Sequence, residues 1–347
     1  MPWVNDKTQE DFKNQLLQNG DIIIADAAED YTVGKVVEIT GITDNYAVAG
    51  LHTMVARPDE KFSEYFLGFY LNSDSYQKQL IPLMQGVKVL SLNKTNMLKT
   101  DIKIPPECSE QSKIAALFSN LDNTITLHQR KLELLKELKQ AYLQNLFPEN
   151  GEKNPRIRFS DFTEDWEQRK LDYFVEDYIE KTVIQNQHPV LTSSQQRGII
   201  FQEEYFANRQ VTTENNVGYF VLPRGCFTFR SRTDNGVFRF NRNDIVDKGI
   251  ISYFYPVFKI QNGSSNFFLK HLNHSIKKEV SLQAEGTGQR VLSLKKFKAI
   301  KINVPVIDEQ AKIGNLFEIM DETIAFYQRK LESMQNIKKS LLQKMFI

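Results

Sequence analysis

The residues most suited to chemistry lie between Val221 and Lys301, where basic side chains outnumber acidic ones about threefold, a local excess that suits contacts with phosphate. Arginine, asparagine and glutamine can also hydrogen-bond base edges in a DNA groove. We therefore predict a DNA-facing surface here. Its candidate residues are Arg230, Arg232, Thr233, Asn235, Arg239, Arg242, Thr287, Gln289 and Arg290.

Two further candidates, Gln85 and Lys88, occupy a loop that corresponds in the first half of the chain to the loop carrying Gln289. For any single one of these candidates, a solvated surface side chain is the simpler interpretation. The prediction of DNA contact is therefore made for the group and not for its members.

Motifs that would indicate an enzyme are absent from the sequence. There is no G-x-x-x-x-G-K-[ST] loop for a nucleotide and no Asn-Pro-Pro-aromatic motif for an adenine methyltransferase. His271 and His274 have the spacing of one helix face, but no third ligand follows, so we expect surface or half-buried histidines. We therefore predict a binding protein with no catalytic residue, no metal and no cofactor of its own.

The candidate residues must be positioned by a chain that repeats itself. Residues 110–147 match residues 309–346 without a gap, and the short sequence Val-Leu-Ser-Leu precedes both copies. Self-similarity over this length indicates two equivalent structural units. We therefore predict two half-units, each an α+β body followed by a long helix.

Each predicted helix carries apolar residues that alternate by fours and threes, which keeps one stripe on the side of a helical partner. At ~1.5 Å per residue each helix would run roughly 50 Å, long enough for a strut, whereas two helices of an ordinary bundle are the alternative. The stripe residues are Ile114, Phe118, Leu121, Ile125, Leu132 and Leu135 in the first copy and Ile313, Phe317, Met320, Ile324, Leu331 and Met334 in the second. Beyond these residues the spacing shifts, and the stripe continues through Leu138, Tyr142 and Leu146 in the first copy and Ile337, Leu341 and Met345 in the second.

The predicted boundaries follow from the repeat and from polar, proline-containing stretches. They are residues 1–105 for the first body, 106–147 for the first long helix, 148–158 for a linker, 159–305 for the second body and 306–347 for the second long helix. The first body contains nothing that matches roughly residues 159–205 of the second, so we expect it to be shortened. Within the bodies, we expect a helix over residues 62–80 and strands over residues 237–240 and 252–258, among others.

The cellular setting is predicted from what the sequence contains. Cys108 and Cys226 stand alone, which is typical of a reducing compartment. The polar first ten residues do not resemble a signal peptide, and no stretch has the ~18 consecutive apolar residues of a membrane span. We expect a cytoplasmic protein.

The combined pattern resembles the specificity (S) subunit of type I restriction–modification enzymes. The most specific features are Val-Leu-Ser-Leu, a proline before Glu-Gln-x-Lys-Ile-x-x-Leu-Phe, and Asp-x-Thr-Ile, each present twice. This resemblance implies two target recognition domains, each binding half of a split site in double-stranded DNA. It also implies that the long helices form an antiparallel coiled-coil spacer with a pseudo-twofold internal repeat.

The same resemblance implies partners. The helices would dock two modification (methyltransferase) subunits, which carry S-adenosylmethionine for DNA methylation, and the complex would recruit the restriction (endonuclease/translocase) subunit. A shortened first body leaves an alternative in which the chain is a truncated or silent cassette that serves as a protein-interaction scaffold. A stand-alone DNA-modifying enzyme is a further alternative, although its catalytic residues are not found.

Overall fold

The computed structural model describes residues 16–30, 32–43, 46–149, 152–206 and 215–346. The polar N-terminal residues and positions 150 and 151 of the predicted linker lie outside this description. The chain divides into unit 1, which comprises Met1–Leu132 and Phe326–Ile347, and unit 2, which comprises Glu133–Ala325. Both units mix helices and strands, which confirms the α+β prediction. In the part of the chain that the structure describes, no helix is long and apolar enough to cross a membrane.

Unit 1 is built around a three-stranded antiparallel sheet in which β1 lies between β3 and β4. A second, short pairing joins β2 to β5. The elements before the first long helix are β1 (Ile22–Ala25), β2 (Ala27–Ala28), β3 (Val36–Glu38), β4 (Thr53–Ala56), α1 (Phe66–Leu71), α2 (Asp74–Leu80), β5 (Leu90–Ser91) and α3 (Lys94–Met97).

The helix predicted over residues 62–80 is wrong as a single element, because it is divided into α1 and α2. The helix is interrupted at Ser73, because the Ser73 side chain accepts a hydrogen bond from the Tyr76 amide and caps the start of α2. The preceding Asn72 is also engaged, because its side chain bonds both the amide and the carbonyl of Val36 in β3. Two polar residues therefore interrupt an apolar pattern that by itself favours one helix.

Unit 2 contains a larger set of strands. Its main sheet has the antiparallel order β13-β11-β15-β7, and four two-strand pairings surround it: β10–β14, β12–β16, β17–β6 and β8–β9. The strands are β6 (Glu167–Lys170), β7 (Val175–Asp177), β8 (Leu191–Ser194), β9 (Gly198–Phe201), β10 (Phe220–Pro223), β11 (Phe227–Phe229), β12 (Arg232–Thr233), β13 (Phe240–Arg242), β14 (Lys248–Ile251), β15 (Val257–Ile260), β16 (Arg290–Val291) and β17 (Lys301–Val304). The helices between them are α5 (Gln202–Tyr205), α6 (Ser265–His274), α7 (Lys277–Gln283) and α8 (Leu294–Lys298).

Two strand predictions in unit 2 are wrong in position. Residues 252–256 form the turn between β14 and β15 rather than a strand, although their aromatic residues favour one. The strand predicted over residues 237–240 begins only at Phe240, because the Asn235 side chain accepts a bond from the Val237 amide and holds the preceding residues in a turn.

The three-stranded sheet of unit 1 corresponds to three of the four strands in the main sheet of unit 2. β1 with its neighbours β3 and β4 matches β11 with β13 and β15. Asn273 of α6 bonds the amide and carbonyl of Phe240 in β13, as Asn72 does with Val36 in unit 1. Within the described residues, unit 1 has no counterpart of β6, β7 or the β8–β9 hairpin.

Two long helices, α4 (Cys108–Asn145) and α9 (Ile307–Met345), complete the fold. In unit 1 they run antiparallel, because Phe118 stacks on Phe346 while His128 lies against Tyr327. In unit 2 they are also antiparallel, because Phe147 stacks on Phe317 and Lys139 forms an ion pair with Asp321.

All the predicted stripe residues from Ile114 to Leu135 and from Ile313 to Met334 are buried or partly buried. The continuation of the stripe is wrong at Leu138, Ile337 and Met345, which are 46%, 49% and 36% exposed. It is confirmed at Tyr142, Leu146 and Leu341, which are buried or partly buried. The cores of both units lie where the body meets the helices. Phe118 and Phe346 belong to the core of unit 1, and Phe147 and Phe317 to that of unit 2.

Candidate nucleic-acid interface

A concave surface in unit 2 gathers many of the predicted residues. It is a cleft of about 480 Å³ between the β8–β9 hairpin and the loops that flank β12. We call it the hairpin cleft. Its polar lining residues are Thr192, Ser193, Ser194, Gln195, Gln196, Arg197, Tyr205, Arg230, Arg232, Thr233, Asp234, Asn235, Arg239 and Tyr255.

Three arginines of the hairpin cleft keep their guanidinium groups available. Arg230, Arg232 and Arg239 are exposed, and none has a carboxylate partner in the described part of the chain. The Arg232 guanidinium lies 5.5 Å from the centre of the Phe254 ring, which orients it without using its donors. Although Arg239 is exposed to solvent, the protein atoms around its guanidinium partly desolvate it and lower its pKa. A guanidinium without a carboxylate partner keeps its donors for a phosphate or a base edge.

The predicted loops around Thr233 and Gln289 are brought together by strand pairing. β12 and β16 pair with Thr233 opposite Arg290. The Gln289 amide donates to Asp234 at 3.0 Å, and the Thr233 hydroxyl donates to Asn235 at 2.6 Å. Thr287 lies exposed in the same loop. The two loops thus form one wall whose polar groups are already ordered by each other.

Two predicted arginines are engaged within the protein. Arg242 bonds Asp244 at 2.7 Å and also donates to Ser265 and Asn266, which joins β13 to the start of α6. Arg290 donates to the carbonyls of Ser281 and Ala284 at the end of α7. Because these bonds hold both guanidinium groups against the protein, this geometry favours a positioning role for both over direct contact with a base.

Three residues that the sequence prediction omitted occupy the tip of the β8–β9 hairpin. Gln195, Gln196 and Arg197 are exposed and line the hairpin cleft. Asn241 fixes this tip, because its side-chain amide donates to the Ser193 hydroxyl and the Ser194 carbonyl, both at 2.8 Å. The signal available in the sequence was Gly198, a glycine directly before the apolar residues Ile199 and Ile200. In the structure its φ of +73° closes the turn of the hairpin.

A second cleft of about 570 Å³ adjoins the first and shares Arg197 and Arg239 with it. Its remaining basic lining residues are Lys139, Arg242, Lys270, His274 and Lys277. Burial lowers the pKa of Lys270, although its bond to Asp321 opposes the effect. Burial raises the pKa of Asp321, but hydrogen bonds from Lys139 and Lys270 outweigh it and leave this pKa below its usual value. Asp321 pairs with Lys139 and Lys270, and the lining carboxylate Asp244 pairs with Arg242. Arg197, Arg239 and Lys277 line the cleft without a carboxylate partner in the described residues, which suits a phosphodiester.

In unit 1 the predicted candidates Gln85 and Lys88 are exposed. The Gln85 backbone pairs with Ser91, which places both residues in a loop equivalent to that of Gln289. The loop is present in both units, but the hairpin cleft is described only in unit 2.

The structure corrects the prediction for His271, which is 3% exposed instead of lying at the surface. Its ring stacks on Phe147 and Phe267, and burial lowers the pKa of its imidazole to about 3. His274 is half-buried, as predicted. Within the described ranges, no group of three or more His, Cys, Asp or Glu side chains could hold a metal ion.

The amino-acid sequence is similar to a family model and to known proteins. A family model described as the type I restriction modification DNA specificity domain matches residues 2–137 and 149–336. The putative type I restriction enzyme MjaX specificity subunit of Methanocaldococcus jannaschii is 24% identical over 356 residues, which cover 98% of this chain and 80% of that protein. The MjaVIII specificity subunit of the same organism is 23% identical and is covered over 60% of its length.

A solved structure shares the fold. The S subunit of a type I restriction–modification system from M. genitalium superimposes with a TM-score of 0.59 at 15% sequence identity. The match covers 95% of this chain and 83% of that one.

Proposed function

This chain belongs to the type I restriction modification DNA specificity family, and from that premise we propose that it is the non-catalytic subunit that recognises DNA in such a complex. One observation supports the assignment of the surface. In the hairpin cleft, exposed arginine and glutamine side chains converge on one concavity, and its four arginines have no carboxylate partner in the described residues. Such side chains supply both phosphate contacts and base contacts.

Within that surface we assign different roles to different residues. Gln196, Arg197, Arg230 and Arg239 project donors that can meet base edges. Lys270 and Lys277 line the adjoining cleft, where they suit the sugar–phosphate backbone. Arg242 and Arg290 hold these elements in place. Most of the affinity then comes from phosphates, and most of the discrimination comes from the hairpin cleft.

The long helices are proposed to form an antiparallel coiled-coil spacer with a pseudo-twofold repeat. Equivalent contacts in the two units support this assignment. Phe118 stacks on Phe346 in unit 1, and the equivalent residues Phe317 and Phe147 stack in unit 2. The ion pair of Lys338 with Asp122 likewise has its equivalent in Lys139 with Asp321. A spacer of this kind holds two recognition domains at a set distance, and so selects a bipartite DNA site.

Partner subunits are proposed to dock on apolar residues that the helices leave exposed. On α4 these residues lie seven and four positions apart and so share one helix face. They are Leu127, Leu134 and Leu138 on α4 and Ile319, Phe326 and Ile337 on α9. Leu127 matches Phe326 in the repeat, and Leu138 matches Ile337. These two matched positions occur once on each helix, which suits two identical modification subunits, each carrying S-adenosylmethionine, and their complex would recruit the restriction subunit.

The proposed function is tested by mapping methylated bases in cells that carry this chain together with its cognate modification subunit. We expect methylation at one bipartite sequence that disappears when the chain is deleted. Replacing Gln195, Gln196 and Arg197 together by alanine should abolish or relax methylation at one half of that sequence. Methylation that persists without the chain would refute the assignment. If the chain were only a scaffold, replacing these three hairpin residues would leave the methylated sequence unchanged.

A further inference from the structure

In unit 2 a segment that follows α4 is clamped onto the start of α9. We call residues 152–177 the docking segment. Its Arg158 donates two hydrogen bonds of 2.8 Å to the carboxylate of Glu309, which is fully buried. Asp161 accepts a bond of 2.6 Å from Lys312, and the Lys312 ammonium also lies 5.1 Å from the centre of the Phe162 ring.

The same segment then continues as a strand. β6 pairs with β17 along its whole length, with Arg169 opposite Ile302. Trp166 and Leu171 are buried on either side of β6. The docking segment therefore combines a charged clamp, an aromatic anchor and added backbone pairing, which together bury Ile302 to 3% exposure.

Unit 1 repeats the surface that receives this segment. Gln111 accepts a bond from the Ser63 amide and donates to the Pro105 carbonyl. Gln310 makes the equivalent bonds with Ser264 and Pro305 in unit 2. The start of α4 is therefore built in the same way as the start of α9.

The groups that would hold a docking segment in unit 1 are present and unengaged. Glu110 and Lys113, which match Glu309 and Lys312, are exposed and have no ion pair or hydrogen bond from their side chains within the described residues. Ile102, which matches Ile302, is 50% exposed, and residues 101–104 pair with no strand in the described part of unit 1. The backbones of Asp101 and Lys103 bond the Gln79 and Tyr70 side chains, which leaves the backbones of Ile102 and Ile104 to pair with a strand. We call Glu110, Lys113 and residues 101–104 the unit 1 socket.

We propose that the unit 1 socket binds an extended segment of a separate polypeptide that has the chemistry of the docking segment. That segment would offer an arginine to Glu110, an aspartate three residues later to Lys113, aromatic side chains beside Lys113, and a strand for residues 101–104. The opposite charges at matched spacing argue for this sequence pattern, and the unpaired backbone argues for a peptide. Residues 1–15 of this chain contain no arginine to meet Glu110, and the docking segment of a second copy is already seated on its own unit 2, so both are poorer occupants.

The proposal is tested by fluorescence anisotropy with the full chain and a fluorescein-labelled peptide of residues 152–177. We expect saturable binding of one peptide per chain. Glu110→Lys should weaken binding at least about tenfold, because the peptide arginine would then face a like charge. A peptide carrying Arg158→Glu should recover the affinity for the Glu110→Lys chain. Glu133→Lys, which makes the same change at another exposed site of α4, should leave binding unchanged.

Ile102→Glu provides a second, independent variant, since it alters the strand edge and not the clamp. It should also weaken binding, while the thermal midpoint of the chain stays the same because Ile102 is half exposed. Absence of saturable binding would overturn the proposal. Binding that ignores Glu110→Lys would overturn it too, because the peptide would then be displacing the docking segment from Glu309. Self-association of the chain that depends on Glu110 would assign the socket to a second copy instead.

Discussion

At the scale of single residues, the arginines of unit 2 differ in what their donors already bond. Arg242 and Arg290 spend their hydrogen bonds on neighbouring side chains and carbonyls, whereas Arg230 and Arg239 do not. Sequence alone predicts the enrichment of arginine here, because composition is visible in it. The sequence does not show which arginines are bonded within the protein and which are free, because this depends on the acceptors that the fold brings within reach.

Arg239→Gln should weaken binding to the cognate DNA by roughly one to two orders of magnitude, because a well-placed arginine–base contact is worth about 1–3 kcal/mol. The measurement is anisotropy with the complex of this chain and its modification subunit, at constant salt. Arg224→Gln is the matched control, since Arg224 is exposed and pairs with Asp247 outside the hairpin cleft. An equal loss on random DNA would indicate a phosphate contact and contradict the assignment to a base.

His271 should make unit 2 sensitive to mild acid. Burial holds its folded pKa at about 3, so the unfolded chain, with a pKa near 6.5, binds the proton more readily. Its contribution to stability is therefore complete above about pH 6.5 and is lost as the pH falls toward 3, at about 1.4 kcal/mol per pH unit.

Replacing this histidine by phenylalanine tests the effect. In urea unfolding at pH 7.5 and pH 5.5, the His271→Phe variant should lose about 1.4 kcal/mol less stability between the two pH values than the wild type does. His52→Phe is the control, because the His52 side chain is 77% exposed. Identical pH dependence of wild type and His271→Phe would contradict the burial argument.

At the scale of elements, the long helices could be predicted closely and the β8–β9 hairpin could not. The seam from Ile114 to Leu135 follows from spacing alone, because only one side of a helix meets its partner. The hairpin tip precedes the stretch from Val221 onward in which basic residues are in excess. A search for local excess positive charge therefore does not identify it. The break between α1 and α2 was missed for a related reason, since one capping serine outweighs an apolar periodicity.

The exposed apolar faces of the helices should set the stoichiometry of the complex. Leu138→Glu or Ile337→Glu should each remove one modification subunit, because a carboxylate at a buried contact has no partner. Native mass spectrometry should show two modification subunits per wild-type chain, one for either single variant and none for the double variant. Gln129→Glu adds the same charge to α4 outside this face and should keep two. Two subunits on the double variant would contradict the docking assignment.

At the scale of the whole molecule, helix length should determine the spacing of the DNA half-sites. Inserting one heptad after His128 and another after Tyr327 preserves the seam, because seven residues complete two turns of its repeat. These positions face each other in unit 1, with ring centres 5.6 Å apart, so both helices lengthen together. Each gains about 10 Å, which corresponds to about three base pairs of DNA.

Mapping methylated sites with the lengthened chain should show the same two half-sites separated by about three more base pairs, since the recognition surfaces are untouched. A heptad in only one helix should instead misalign the seam, lower the thermal midpoint and abolish methylation. An unchanged separation in the doubly lengthened chain would show that the helices do not measure the site. Spacing would then have to come from the partner subunits, with this chain supplying base recognition alone.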